Sequence, residues 1–136
     1  MRALLAGLLL LAGPLPPAVF PGPAAAASLD SYHWRARPVV VVAPSTADAR
    51  YAEQAARLAA DRAGLAERDM VVLTVTGADD PLRRRLDVPS DGFRVLLVGK
   101  DGHVAGRWSA PVDPSTLFAL IDRMPMRRDE MRRRAP

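Results

Sequence analysis

Apolar residues in this chain gather into runs of two kinds, and the spacing inside each run predicts an element. From Arg37 the sequence reads RPVVVVA with no polar residue inside the run, and Pro44 ends it. A β-branched stretch without alternation predicts a strand covered on both faces, and so a central one. The following segment, STADARYAEQAARLAADRAG, is helical in period: Tyr51, Ala55, Leu58 and Ala59 fall on one face. Ser45 with Asp48 three residues on has the spacing of a capping box, and Gly64 suits the left-handed closing position. RDMVVLTVT, residues 68–76, is a second β-rich run. Strand, helix and strand in that order predict a parallel pair joined by a right-handed crossover.

Asp79-Asp80-Pro81 opens a short helix through LRRRLDV, with proline at home in its first turn. Leu82 and Leu86 face inward, and Arg83, Arg84 and Arg85 read as a solvated face. In GFRVLLVGKDGHVAGRWSAP the dipeptide Asp101-Gly102 permits the positive backbone angles of a tight turn. Phe93 to Val98 and His103 to Trp108 are therefore expected to pair antiparallel. DPSTLFALIDRM is a last core helix, with Asp113 as its cap and Leu117, Leu120 and Ile121 facing the sheet. The predicted order is β-α-β-α-β-β-α, an α/β domain with a four-stranded mixed sheet and flanking helices.

That last helix has a defined end. Pro125 lacks an amide hydrogen and disfavours helical geometry at Met124, so a short basic helix is expected to start there at a new angle. Methionine fills irregular gaps, and at least one of Met124 and Met126 is expected to dock into the core. Asp129 with Arg133 and Glu130 with Arg134 have the favourable four-residue order, while Arg127 has Asp122 or a groove on the body as its alternative target. Asp122, Met124, Pro125, Met126, Arg127 and Glu130 together read as a structural latch, with a partner-binding surface as the other reading.

Composition changes the picture in three places. The first 27 residues hold Arg2, the run ALLAGLLLLA and a small-residue ending at Ala25 and Ala27. This predicts a secretory signal peptide over residues 1–27, a domain over 28–124 and a basic short helix or tail over 125–136. The apolar run is about half the roughly twenty residues a spanning helix needs, so no membrane span is expected after cleavage, and the protein is expected to be periplasmic or secreted. The chain contains no cysteine, which excludes disulfides, thiol chemistry and a lipid anchor on sulfur. Of the formal net charge of +4, residues 123–134 supply six arginines against Asp129 and Glu130. The remaining body is nearly neutral, so the basic balance points to an anionic envelope component or an extracytoplasmic protein as partner rather than to nucleic acid.

Candidate chemistry is sparse. His33 and His103 are the two histidines; without cysteine they define no zinc site, and no catalytic residue, metal or cofactor is assigned. Gly99-Lys100 lacks the lead and the hydroxyl of a phosphate loop. Ser45 and Thr46 follow the first central strand at a helix N-terminus, where open α/β sheets bind ligands. An enzyme of unrecognised type centred on Ser45 is therefore the alternative to a binding module that uses Arg37, Ser45, Thr46, Asp69, Lys100, Arg127 and Arg128. Oligomeric state is not legible.

The element order, the VLLVGKDGHV hairpin and the strand-loop-helix at VVVVAPSTADARY resemble the thioredoxin-like superfamily, with Ser45 and Thr46 in the loop that holds reactive cysteines there. A closer resemblance rests on Trp34 and Arg37, on Arg68-Asp69, on GFRVLLVGKDG from Gly92 to Gly102, and above all on IDRMPMRRDE from Ile121 to Glu130. In these the chain is similar to an uncharacterised domain family of small exported bacterial proteins and animal extracellular proteins, among them sushi-repeat-containing proteins and a coiled-coil-domain matrix protein. That resemblance implies a redox-inactive thioredoxin-like fold, life outside the cytoplasm and, in the animal proteins, adhesion or matrix roles. It supplies no catalytic residue.

Overall fold

β1 (Arg37–Val42) is buried along its whole length, with a strand on each side of it and a core packed on each face. The computed structural model describes residues 29–136, and the expected signal peptide falls outside the described residues. β2 (Met70–Val75) pairs parallel with β1, Val39 opposite Val72. β3 (Arg94–Val98) pairs with β1 antiparallel, and β4 (Val104–Trp108) pairs antiparallel with β3. The mixed sheet has the order β2-β1-β3-β4, leaving β4 at an edge. This α/β architecture is the predicted one and is compatible with a thioredoxin-like domain.

Helices cover both faces. α1 (Ala49–Ala59), α2 (Arg62–Glu67) and α4 (Pro114–Ile121) bring Leu58, Leu65, Leu117 and Ile121 onto the side of Val39, Val41, Phe93, Val95 and Leu97. α3 (Pro81–Arg85) brings Leu82 and, just beyond it, Leu86 onto the other side, with Leu29, Val40, Val42, Leu73 and Leu96. The unalternating valine run therefore serves two cores at once, alternate valines to each. At about 1.5–3 kcal/mol for each fully buried aliphatic side chain, β1 and β3, with four such side chains each, are the main anchors of the sheet. α5 (Pro125–Arg134) begins with its proline in the first turn, after a break at Asp122–Met124.

Four local expectations need correction. The single helix expected over 45–64 is two helices: α1 ends at Ala59, and Asp61 starts α2 by accepting from the Gly64 amide at 3.0 Å. Gly64 does not close a helix. It sits inside α2 against Phe118, where an added Cβ would stand 2.6 Å from a ring carbon. The cap of α1 is Asp48, whose carboxylate accepts from the Arg50 amide at 2.9 Å, whereas the Ser45 hydroxyl accepts from the Ala47 amide in the preceding turn. Asp113 takes the cap position of α4 without a side-chain cap bond, because its carboxylate accepts from Arg57 instead.

Arg83 is the largest departure. Expected on a solvated face, it is 2% exposed. Its guanidinium donates to the carbonyls of Ala43, Gly77, Pro89 and Gly92 at 2.6–3.3 Å, tying together the chain after β1, the chain after β2 and the approach to β3. Gln54 is similarly buried in α1, donating to the Val112 carbonyl at 3.0 Å and accepting from its amide at 2.7 Å. Carbonyls in that setting need donors, and these two side chains supply them.

Candidate functional site

Strand directions gather one set of charged residues at a single pole. Arg37 opens β1, Asp69 immediately precedes the parallel β2, and Lys100 follows the antiparallel β3, so all three come to the same end of the sheet. α5 then lays Glu130 across them. Arg37, 1% exposed, donates from both terminal nitrogens to the Glu130 carboxylate at 3.0 and 3.2 Å and also to the Arg68 carbonyl at 2.9 Å. Lys100 donates to Glu130 at 2.6 Å and to Asp69 at 2.8 Å. Two cations face two carboxylates. Burial opposes ionisation of Glu130, but the hydrogen bonds and charges of Arg37 and Lys100 outweigh it and hold its pKa below the usual range.

A second group continues along α5. Arg127, 1% exposed, donates from Nε to Asp122 at 3.2 Å and from its terminal nitrogens to the carbonyl and carboxylate of Glu67, both at 3.1 Å. Arg68 grips Asp122 with two bonds of 3.0 Å and lies over the Phe118 ring, 4.2 Å from its centre. The Asp122 carboxyl is lowered first by its hydrogen bond from Arg68, against the effect of burial, and further by Arg127. Arg127, Glu130 and Arg134 are three or four residues apart and so lie along one side of α5, with Arg134 at its exposed end. Glu130 therefore turns to Arg37 rather than to Arg134, which donates to the Glu67 carbonyl, and Asp129 pairs with Arg132 rather than with Arg133.

Beside this network lies an apolar groove of about 510 Å³, lined by Trp34, Arg37, Lys100, His103, Ala105 and the Met124-Pro125-Met126 corner. Met124 packs against the core, whereas Met126 is 38% exposed and Trp34 59% exposed. Trp34 has φ +64° and Asp69 φ +51°, a region that bulky residues rarely enter and that persists only where the surroundings impose it. The Trp34 amide donates to the Lys100 carbonyl at 2.7 Å, which holds the Trp34 backbone beside the groove.

The residues proposed from sequence thus divide. Arg37, Asp69, Lys100, Asp122, Met124, Pro125, Met126, Arg127 and Glu130 come together. Ser45 and Thr46 lie beyond the other end of β1, about 20 Å away along a strand rising ~3.3 Å per residue, and both are exposed. Arg128 is exposed on the outer side of α5. His33 and His103, far apart in sequence, meet at the hairpin turn around a smaller cavity with Asp30, Arg85 and Asp101. Among the described residues, no group of three or more His, Asp or Glu is placed to hold a metal ion, and no helix is long and apolar enough to cross a membrane. Sequence reasoning missed Glu67 as the acceptor for Arg127, 60 residues away, and no local pattern marks it.

Residues 28–130 match the family described as a domain of unknown function, DUF4174. Sushi repeat-containing protein SRPX of Rattus norvegicus is 30% identical over 124 residues, covering 79% of this chain and 27% of that protein, and its Homo sapiens counterpart has the same identity and coverage. Coiled-coil domain-containing protein 80 of Danio rerio is 26% identical over 133 residues, 76% of this chain and 15% of that protein. The chain spans about a quarter of the length of the sushi-repeat relatives it matches. No solved structure matches it significantly. The match runs through every segment carrying the resemblance, of which Trp34, Arg37, Arg68-Asp69, Gly99 to Gly102 and the ending from Ile121 to Glu130 converge on this pole while Gly92 to Arg94 lie at the other end of β3: the chain belongs to the DUF4174 family, a domain of unknown function.

Proposed function

We propose that this domain is exported and acts outside the cytoplasm as a redox-inactive binding module, holding another protein or an envelope component at the Trp34–Met126 groove. The observation that carries this reading is the use of charge at the pole. Its buried cations and carboxylates are engaged with one another, while the adjoining surface is apolar and open. A general acid or base works best with a pKa near the operating pH, and Glu130 and Asp122 are both driven the other way. Ser45 is a poor centre for chemistry, since its hydroxyl accepts a turn amide and has no histidine among its hydrogen-bond partners. Export rests on the apolar leader of residues 1–27.

A photo-crosslinking amino acid placed at Trp34, and in a separate variant at Ser45, tests the reading in cells of the source organism. Polypeptide or envelope adducts from Trp34 in the exported fraction, with none from Ser45, are expected. Retention in the cytoplasm, or adducts confined to Ser45, would overturn it.

A further inference from the structure

The lead-in to β1 meets the β3–β4 hairpin turn beside the groove, and the meeting builds a second concavity. A cavity of about 240 Å³ has Asp30, His33, Arg85, Asp101 and His103 in its lining. Gly99, Asp101 and His103 also line the larger groove, so the two hollows are continuous. His33 and Trp34 stand where they join, with ring centres 4.5 Å apart. His33 Nε2 lies 3.1 Å from the Asp101 carbonyl. A carbonyl only accepts, so Nε2 carries the proton there and Nδ1 of the neutral ring is left as an acceptor. Trp34 keeps its left-handed backbone while its side chain stays 59% exposed. Strain of this kind persists where the surroundings impose it and collects at binding sites; here it presents an indole to solvent.

The polar groups decide what the indole receives. Asp30 and Arg85 are ion-paired, and Asp101 accepts from the His103 amide at 3.0 Å through one oxygen while the other lies 3.5 Å from the His103 ring. The cavity therefore offers acceptors and donors together. A hydroxyl uses both, whereas an ammonium has nothing to accept the hydrogens of Arg85 or His33. With the histidines neutral, two carboxylates face one guanidinium, and an anionic ligand meets like charge. At the junction, the face of an aromatic ring is electron-rich and its edge electron-poor, so the exposed indole suits the weakly positive C–H groups on one side of a sugar ring. An apolar platform with a few convergent polar groups is how a site orients a small ligand.

We infer that this pole binds an uncharged oligosaccharide. One sugar ring stacks on Trp34, and the next enters the cavity and shares its hydroxyls among Asp30, Arg85 and the outer oxygen of Asp101. This rests on the pole being the recognition surface proposed above, and it specifies the ligand: stacking supplies affinity, and the hydroxyl partners select the sugar.

The probes are cellotetraose, maltotetraose and the tetramer of N-acetylglucosamine, with tetragalacturonate as an anionic counterpart and choline as a cationic one. Each is titrated into the isotope-labelled exported chain by nuclear magnetic resonance. At least one uncharged tetrasaccharide is expected to saturate at millimolar concentration, shifting the Trp34 indole and the His33, Gly102 and His103 amides, with its own ring protons moved upfield by the indole. Trp34→Ala and Arg85→Met, both at exposed positions, should each weaken binding at least tenfold while the β2 amides stay unshifted. Three results would overturn the inference: no uncharged tetrasaccharide shifting these signals at tens of millimolar, tenfold tighter binding of tetragalacturonate or choline, or binding that Trp34→Ala leaves unchanged. If Trp34 still crosslinks to polypeptide in cells in any of these cases, the pole remains the recognition surface and only the saccharide is lost. If it forms no crosslink, both fail. Partner-derived peptides together with sugar in digests of the Trp34 adducts would mark a glycan carried on protein, and sugar alone a free envelope polysaccharide; either supports the inference.

Discussion

Replacing Glu130 by alanine is the sharpest test of how α5 is held. The substitution removes the acceptor of two bonds from Arg37 and one of 2.6 Å from Lys100. Deleting one member of a buried ion pair costs about 3–5 kcal/mol, because the partner stays buried and uncompensated. Two features place this site at the lower end. Lys100 keeps Asp69 and Arg37 keeps the Arg68 carbonyl, and the Glu130 side chain retains 14% exposure. A loss of ~3 kcal/mol is therefore expected, against a total of about 5–15 kcal/mol for a domain of this size. At about 4 °C per kcal/mol, Tm should fall by roughly 12 °C. Urea denaturation followed by far-ultraviolet circular dichroism gives the free energy, with an unchanged m value showing that unfolding remains two-state. The double variant Arg37→Met with Glu130→Met should recover more than half of the loss, since an apolar pair leaves no orphaned charge. A loss below about 1 kcal/mol, or a double variant no better than Glu130→Ala, would show that α5 is held by something other than this pair.

Acid titration gives a second check. Glu130 and Asp122 both have pKa values below their ordinary 4.5 and 3.8. Their contribution is complete above those ordinary values and is lost as pH falls through the lower folded ones. Stability should thus be flat from pH 8 to 6 on their account and decline below about pH 4, more gently in Glu130→Ala; identical acid limbs would refute the assignment. Arg83→Met strands four carbonyls and should abolish cooperative thermal unfolding, whereas Arg84→Met, on the exposed side of α3, should change stability by less than about 0.5 kcal/mol. Equal melting of the two would remove Arg83 from its structural role. Gly64→Ala lies in a helix, where alanine is favoured by about 1 kcal/mol, but the added carbon would meet Phe118 and Asp61. A net destabilisation of about 1–2 kcal/mol is expected, and a rise in Tm would show that the ring moves aside freely.

The difference between Arg83 and Arg84 explains where reading the chain stops. Side by side in LRRRL, they carry the same local signal, and the helix period alone does not tell which one points at the sheet ends when the helix is five residues long. Gln54 is illegible for the same reason: it falls on the same side of α1 as Leu58, four residues on, and nothing nearby says that Val112 presents an unpaired peptide group to it. By contrast, Gly102 takes φ +84° in the turn where Asp101-Gly102 called for a positive angle, and Pro125 starts a new helix where its missing amide said one must start.

Residue order therefore sets most of the local backbone conformation, because β-branching, proline, glycine and helix spacing act over four residues or fewer, although the break between α1 and α2 escapes it. It makes the valine run a central strand, places the hairpin and ends α4. Only the folded chain decides which charges meet: Arg37 and Glu130 are 93 residues apart and Arg127 and Glu67 are 60 apart. An ion pair is set by distance in space, and that distance exists once the parallel crossover and the hairpin have brought three strand ends to one pole. The unpartnered Nε of Arg37 is likewise a property of that meeting, since the acceptors brought to the pole engage its terminal nitrogens instead.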